Sequence, residues 1–494
     1  MISDKAIQKF LQRELQNFDW IKALSSSQIG AALSELVPAC LTEALWLHQK
    51  ASLLVMQHHP RFIFFVGMGG GKTNLMLTML RHRKLKGEKP RAIVFVPYLT
   101  AVDTWINEVE KWAPELTCIP LLGSSYENAS DLASKTADIF CICYASSIHI
   151  SDNSLFSGFN TIILDEIHKL KNHRTKIFQL CSDIAEQATH VYGLTGTPFG
   201  KDLQDLWAEF YVVDFGETLG PNISFFRNVF FTRKAGFFGG VEFKFKKKYT
   251  GHLQRIIKNR SIHYSVKEFA DMPEKQYIQR RIQLPEGIKS YVDKELEKLE
   301  EGARNKDREV AGNAFMQLRQ LSSGFITFKD DEERVKVKFD SNPKLDVLCE
   351  LIESMPPECK MVIFHDYVFT NHLISERLKE LKIGHARIWG GQKDQIGQLK
   401  KFREDENCRV LVLNSKSGSS ALNLQFANYV CMFEQIVSPI DRSQAEARVW
   451  RSGQKQVVII YDLFVEGTID SKVHNAVLND MDFLKEFLSG KLSM

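Results

Sequence analysis

The chain has 494 residues, 44% of them hydrophobic and 25% charged, with a net charge of only +4. That length exceeds one ordinary core and suits two or three packed domains, and the composition excludes a disordered or collagen-like chain. With so small a charge excess, any nucleic-acid contact must rest on positive charge concentrated locally, since the average supplies no field.

The N-terminus is polar, and Ile7, Phe10, Leu11, Leu15 and Phe18 recur at helical spacing, which predicts an amphipathic helix rather than a signal peptide. A second helix is expected over 29–36, so residues 1–40 read as a small helical extension. From Arg61 onward short apolar runs (RFIFFVGM, RAIVFVPY, ADIFCICYA, NTIILDE, HVYGLTG) alternate with helical patterns. Such runs, bounded by turn residues, predict an α/β lobe with a parallel sheet covered on both faces, over 41–221. The pattern breaks over 222–342, which is rich in Lys, Arg, Phe and Glu and is expected to be a mainly helical insert, its longest helices near 288–301 and 308–321. Alternation resumes with KMVIFHDY, HARIWGG, RVLVLNS, YVCMFE and VVIIYDLF, predicting a second α/β lobe with a C-terminal helix over 343–494. Nine scattered cysteines without a CxxC pair point to a reducing compartment and no structural zinc. No apolar run approaches bilayer-spanning length, so no membrane partner is expected.

Four motifs carry chemistry. In Val66-Gly67-Met68-Gly69-Gly70-Gly71-Lys72-Thr73, a strand runs into a glycine-rich loop and then a helix. Gly69 and Gly71 let backbone N–H groups approach a phosphate chain, Lys72 reaches the β- and γ-phosphates, and Thr73 holds Mg²⁺. Val66 stands where the first glycine of the usual pattern falls. The strand Thr161-Ile162-Ile163-Leu164 ends on Asp165 and Glu166, at the sheet edge where α/β proteins bind ligands. Asp165 is expected to act on Mg²⁺ and Glu166 on the attacking water. A lone Asp-Glu pair is usually a solvated strand end, but downstream of a GKT loop it is much more often catalytic. Gly193-Leu194-Thr195-Gly196-Thr197-Pro198 offers threonine hydroxyls that sense those acids. Far downstream, Arg448 and Arg451 in Gln444–Gln454 are three apart, a spacing that places both on one helix face as candidate arginine fingers.

Together these residues resemble the Swi/Snf-like family of superfamily-two helicases. The run Asp165-Glu166-Ile167-His168-Lys169-Leu170-Lys171-Asn172 is similar to the family's DEAH-R-LKN, and Leu45-Trp46-Leu47-His48-Gln49 to its adenine motif. Pro97 through Trp105, Glu108 and Trp112, the strand Lys360–Phe364, Ser415–Leu424, Gln444–Gln454 and Gly467-Thr468-Ile469-Asp470 resemble further family elements, in the family's order. The resemblance implies two RecA-like lobes, ATP and Mg²⁺ as cofactors, and nucleotide contacts at Gln49 and Gln444. It further implies DNA contacts at Pro97, Thr100, Lys171, His365, Lys416 and Ser417. The implied activity is DNA-dependent ATP hydrolysis that drives translocation on double-stranded DNA through its phosphates, without strand separation, remodelling protein–DNA complexes or branched DNA. A strand-separating DNA or RNA helicase and an ATP-gated interaction module are the alternatives. Ser419-Ser420 and Ala447 depart from the family pattern and keep the gated module in view. An intracellular, cytoplasmic location is expected, with a nuclear one left open, and a targeting protein is a further expected partner.

Overall fold

In the computed structural model the described residues are 4–13, 15, 17–196, 203–235, 241–269, 271–330, 333–390, 392, 394–415 and 422–479. The chain divides into two compact units, one of Met1–Lys234 with Glu242–Asp271, the other of Ala235–Val241 with Met272–Met494.

The first unit is built on strands β1 (Arg61–Val66), β2 (Ala92–Val96), β3 (Cys118–Leu121), β4 (Ile139–Cys143), β5 (Thr161–Asp165) and β6 (His190–Thr195), followed by the short β7 (Phe231–Ala235), β8 (Val241–Phe245) and β9 (Ser261–Tyr264). Seven of them form one sheet in the order β3-β4-β2-β5-β6-β1-β9, and every neighbouring pair is parallel. The central strands β2, β4 and β5 are almost continuously apolar because helices cover both faces. Along β1 the pleat sends Ile63 and Phe65 into one core layer and Phe62 and Phe64 into the other. Parallel pairing also puts the C-terminal ends of β5, β6 and β1 side by side on one edge, where the three lobe-one motifs begin.

The second unit holds β10 (Lys275–Ile282), the hairpin β11 (Phe325–Asp330) and β12 (Glu333–Lys338), then β13 (Met361–His365), β14 (Gly384–Ile388), β15 (Cys408–Asn414), β16 (Tyr429–Met432) and β17 (Val458–Val465). Its main sheet runs β10-β17-β16-β13-β15-β14, again with parallel neighbours. Two parallel-sheet lobes, as the alternation predicts, are therefore present.

Two segments differ from expectation. Residues 222–342 do not form one insert, because β9 pairs with β1 and β10 with β17, so the stretch is shared between the units. β9 is only four residues long, and β10 carries charge on an exposed face, so neither shows the apolar run by which a buried strand is read. The two helices expected there are found, as Glu286–Arg304 and Arg308–Ser322, packed through Val292 and Leu299 against Ala314 and Leu318. The N-terminal residues are part of lobe one: Phe18, Ile21, Ile29 and Leu33 are all buried in the same core as Phe62 and Leu77. The first helix stops at Gln12, and Phe18 instead meets His59 and Phe62 edge-on, at ring separations of 4.4 and 5.6 Å.

Candidate nucleotide site and its surroundings

β1 delivers the chain into the loop 67–71, and the helix Lys72–Leu85 starts directly after it. Gly69 and Gly71 have φ of 76° and 69°, a left-handed backbone that favours glycine. A Cβ on Gly70 would strike Val66, and one on Gly71 would strike the Gln49 amide. The Lys72 ammonium donates to the Val66 carbonyl at 3.1 Å, folded over its own loop. A backbone cradle at a helix N-terminus, one ammonium, and the oxygens of Thr73 and Asp165 make a donor set that fits a phosphate chain with a hard divalent cation.

Gln49 sits under this loop, not at its rim. Its Oε1 accepts from the Trp46 amide at 2.8 Å, capping the helix Leu47–His58, and its Nε2 donates to the Gly71 carbonyl at 2.9 Å. One N–H and one lone pair of the amide are left for a base. His48 reinforces the seating, with Nε2 donating to the Gly70 carbonyl at 2.8 Å.

β5 ends on Asp165, which accepts from the Trp105 indole at 3.1 Å. Glu166 follows with φ 53° and ψ 58°, a left-handed conformation that costs a non-glycine residue of order 1–3 kcal/mol. This turn directs its carboxylate back to the sheet edge, where Thr195 at the end of β6 donates to Oε2 at 3.0 Å and His168 Nδ1 lies 3.2 Å from the same oxygen. Burial raises the Asp165 carboxyl, and the neighbouring Glu166 charge raises it further, against the pull of Lys72. Burial acts on Glu166 too, but the His168 hydrogen bond, Lys72 and Thr195 outweigh it and hold Glu166 below the usual carboxylate range. Of the two carboxyls, Glu166 is the one held more firmly in its ionised form. Thr197 and Pro198 lie outside the described residues.

In the second unit the helix Pro439–Val449, capped by Ser438, carries half-buried Gln444 and buried Arg448, whose guanidinium carbon lies 5.7 Å from the Phe364 ring centre. Arg451 lies beyond the helix, in a turn closed by Gln454 N–H on the Arg451 carbonyl at 3.0 Å, with Gly453 at φ 97°. The expectation of a shared helix face is therefore corrected, because the helix ends at Val449, before its next turn brings Arg451 round.

The candidate DNA contacts fare unequally. Lys171 is exposed at the end of the turn Ile167–Leu170. Pro97 is buried at the end of β2, its carbonyl facing the Cys143 thiol. His365 is 1% exposed; Nδ1 donates to the Tyr367 carbonyl at 3.0 Å and Nε2 accepts from Asn371 at 2.9 Å. Burial pushes its imidazole down to about 4, so it is neutral and turned inward, which corrects its assignment as a phosphate contact. Lys416 and Ser417 lie outside the described residues, as does the Thr100 side chain. The basic stretch after Lys244 is partly spent on internal contacts: Lys246 donates to the Asn228 and Val229 carbonyls, and Arg255 and Arg260 bind Arg13 and Glu217.

Sequence reasoning missed three supporting groups. Trp105 on Asp165 and His48 on Gly70 belong to motifs already singled out, but their roles become legible only in space. Arg442, on the same helix two residues before the arginine motif, binds Asp462 through both terminal nitrogens at 2.6 and 3.1 Å and Glu446 at 2.7 Å; its four-residue spacing from Glu446 was the available signal.

Residues 46–323 match the family model described as an SNF2-related domain, and 343–453 match the helicase conserved C-terminal domain. The chain is 23% identical over 461 residues to the transcription regulatory protein SNF2 of Saccharomyces cerevisiae, covering 87% of this chain and 26% of that protein. It is 24% identical over 421 residues to the putative ATP-dependent helicase/translocase YwqA of Bacillus subtilis, covering 82% and 44%. It therefore spans less than half the length of either curated relative. A Sulfolobus solfataricus SWI2/SNF2 ATPase core in complex with dsDNA is 22% identical with a TM-score of 0.41, covering 90% of this chain and 93% of that one. The SNF2-related match takes in more than half of the 494 residues, and the chain belongs to the SNF2 family of helicase-type ATPases.

Proposed function

We propose that the chain hydrolyses ATP and uses the cycle to move along double-stranded DNA without separating its strands, remodelling protein–DNA complexes or branched DNA. The observation that carries this is Glu166, charged and held by Thr195 and His168 at the sheet edge shared with the loop of Lys72. A gated binding module has no need for a general base kept ionised in a strained turn. Family membership and the helicase/translocase name of the B. subtilis relative support a nucleic-acid motor.

Bound ATP with Mg²⁺ supplies the phosphoanhydride and the charge neutralisation that make its cleavage drive motion. Lys72 and the amides of Gly69 to Thr73 orient the anionic chain, and Thr73 and Asp165 hold the cation. Glu166 holds water and accepts its proton. Arg448 and Arg451 are assigned to the charge that develops on the transferring group, and Gln49 and Gln444 to the nucleotide. Lys171 is assigned to a DNA phosphate. Phosphate contacts of this type give tracking without sequence reading.

The test is ATP turnover without nucleic acid and with single-stranded DNA, duplex DNA or RNA. Duplex DNA is expected to stimulate most, Glu166→Gln to lower the stimulated rate by roughly 10²-fold or more, the usual worth of a general base, and Lys72→Ala to lower it by weakening the hold on the anionic chain. Preferential stimulation by single strands or RNA would overturn the duplex assignment, and turnover unchanged in Glu166→Gln would overturn the catalytic one.

A further inference from the structure

The helix Leu99–Trp112 follows β2, whose C-terminal end lies beside that of β5 because the two strands are parallel neighbours, with Phe95 paired to Leu164. Its apolar stripe of Val102, Trp105 and Val109, spaced three and four apart, is buried in one core layer with Val94, Val96 and Ile163. Trp105 is 1% exposed, so its ring is packed into that core and its one polar group needs a partner. The partner is Asp165 at the end of β5, whose Oδ2 accepts from the indole Nε1 at 3.1 Å. A second hold lies at the start of the same helix. Lys169, in the turn after Glu166, donates from Nζ to the Tyr98 hydroxyl at 3.0 Å and stands 4.6 Å from the centre of that ring. Tyr98 and Trp105, about two helical turns apart along the chain, thus tie the helix to the segment 165–169 that carries both catalytic acids.

We propose that Trp105 is a positioning residue for the cation, fixing the Asp165 carboxylate in the orientation from which Asp165 takes Mg²⁺. An ionised carboxylate offers about four lone-pair sites on its two oxygens. The indole N–H engages one of them on Oδ2, which restrains rotation of the side chain and leaves the other sites free. A charged donor there would compete with a divalent cation for the same oxygens, whereas a neutral indole orients them without neutralising them. The Lys72 ammonium, whose charge reaches Asp165, is engaged by the Val66 carbonyl at 3.1 Å. Freed of the indole, the carboxylate is drawn toward that charge and away from the cation. Trp105 acts only through Asp165, and the contact between Tyr98 and Lys169 sets the height at which the helix presents it.

The inference rests on the proposed ATP turnover, and its test reads Mg²⁺ binding apart from turnover. In the full chain Trp105 is replaced by benzothienylalanine, which keeps the ring shape and lacks the N–H, and separately by phenylalanine in Trp105→Phe, with Asp165→Asn as the control. A fluorescent, non-hydrolysable ATP analogue is titrated without metal and then with rising Mg²⁺. Both Trp105 variants are expected to bind the metal-free analogue within about twofold of the parent and to need at least about tenfold more Mg²⁺ for the same gain in affinity, the usual worth of a group that orients a metal ligand. In duplex-stimulated turnover the Mg²⁺ concentration for half the maximal rate rises by the same factor, while the rate at saturating Mg²⁺ falls less. A Mg²⁺ requirement within about twofold of the parent in the benzothienylalanine protein overturns the inference alone. Loss of metal-free binding in that protein overturns it too, since the N–H would then be a contact of the fold. If Trp105→Phe lowers the melting temperature, the isosteric replacement decides by the same criteria. A parent whose nucleotide binding ignores Mg²⁺, or an Asp165→Asn protein with the parent's Mg²⁺ response, overturns the cation assignment in the proposed function and the inference with it.

Discussion

Glu209 is a buried carboxyl on the helix Asp205–Asp214, 1% exposed, and neither of its oxygens meets a hydrogen-bond partner among the described residues. Burial pushes it up to about 8, the Asp205 charge adds to that, and Lys171 opposes it. A carboxyl whose folded value lies above its unfolded one holds a proton that the unfolded chain has released, so the unfolded state binds fewer protons and stability falls as pH rises. The window runs from the ordinary glutamate value to about 8. Glu209→Gln cannot titrate and is expected to remove this slope. Melting curves at pH 5.5, 7 and 8.5 should show the variant gaining several degrees on the parent at the alkaline end and little at the acid end. Parallel curves for the two proteins would mean that Glu209 is solvated or paired in solution. Glu166 shows the opposite outcome for the same side chain, because His168, Lys72 and Thr195 supply the hydrogen bonds and charge that Glu209 does not meet among the described residues.

Among the elements, the helix Pro439–Val449 is fixed to its sheet by charge. Arg442 binds Asp462 and Glu446, and Glu446 also accepts from Lys275 and Tyr277, both at 2.7 Å. Asp462 and Arg442 are shielded from solvent, so removing the guanidinium strands the buried Asp462 carboxylate and leaves Glu446 to Lys275 and Tyr277. Arg442→Met should cost about 3–5 kcal/mol in urea unfolding of this unit, whereas Lys275→Met, at a quarter-exposed site, should cost about 1 kcal/mol or less. Equal costs would show that the network is solvated throughout. The same helix marks the limit of sequence reasoning. Its motif, the phosphate loop and the Asp-Glu pair were legible because each needs fixed residue types at fixed spacing after an apolar strand. The point at which the helix stops was not, since that depends on Trp450 and Gly453 adopting turn backbone. His365 was misplaced for another reason: its assignment came from the family resemblance alone, and only the packed unit shows both ring nitrogens bonded inward. β9 and β10 escaped notice because their pairing is made with strands some two hundred residues away, outside any local pattern.

At the scale of the whole molecule, the N-terminal residues decide whether the first unit can stand. Read locally, residues 1–40 form a detachable helical extension; packed, they close one face of the lobe that carries the phosphate loop. Phe18, Ile21, Ile29 and Leu33 are each no more than 2% exposed and share a core with Phe62, Leu77 and Leu80. Arg13 ties the same segment to the Glu217 and Thr218 carbonyls, and Lys22 ties it to the turn that presses on Gly67. Burying each such apolar side chain contributes about 1.5–3 kcal/mol, so the four together approach the whole stability of a typical domain, about 5–15 kcal/mol. Removing residues 1–36 would also uncover the apolar surface beneath them, a patch that invites aggregation. The truncated chain is therefore expected to lose the first unit's unfolding transition and nucleotide binding together, while the second unit, whose core shares no residue with this segment, keeps its own transition. Phe18→Ala, a milder form of the same experiment, should lower the first unit's stability by about 3–5 kcal/mol and leave the second unit's transition where it was. A truncated protein that melts and binds nucleotide like the parent would show that the lobe closes without its N-terminal helices, and would return them to the status of an appendage.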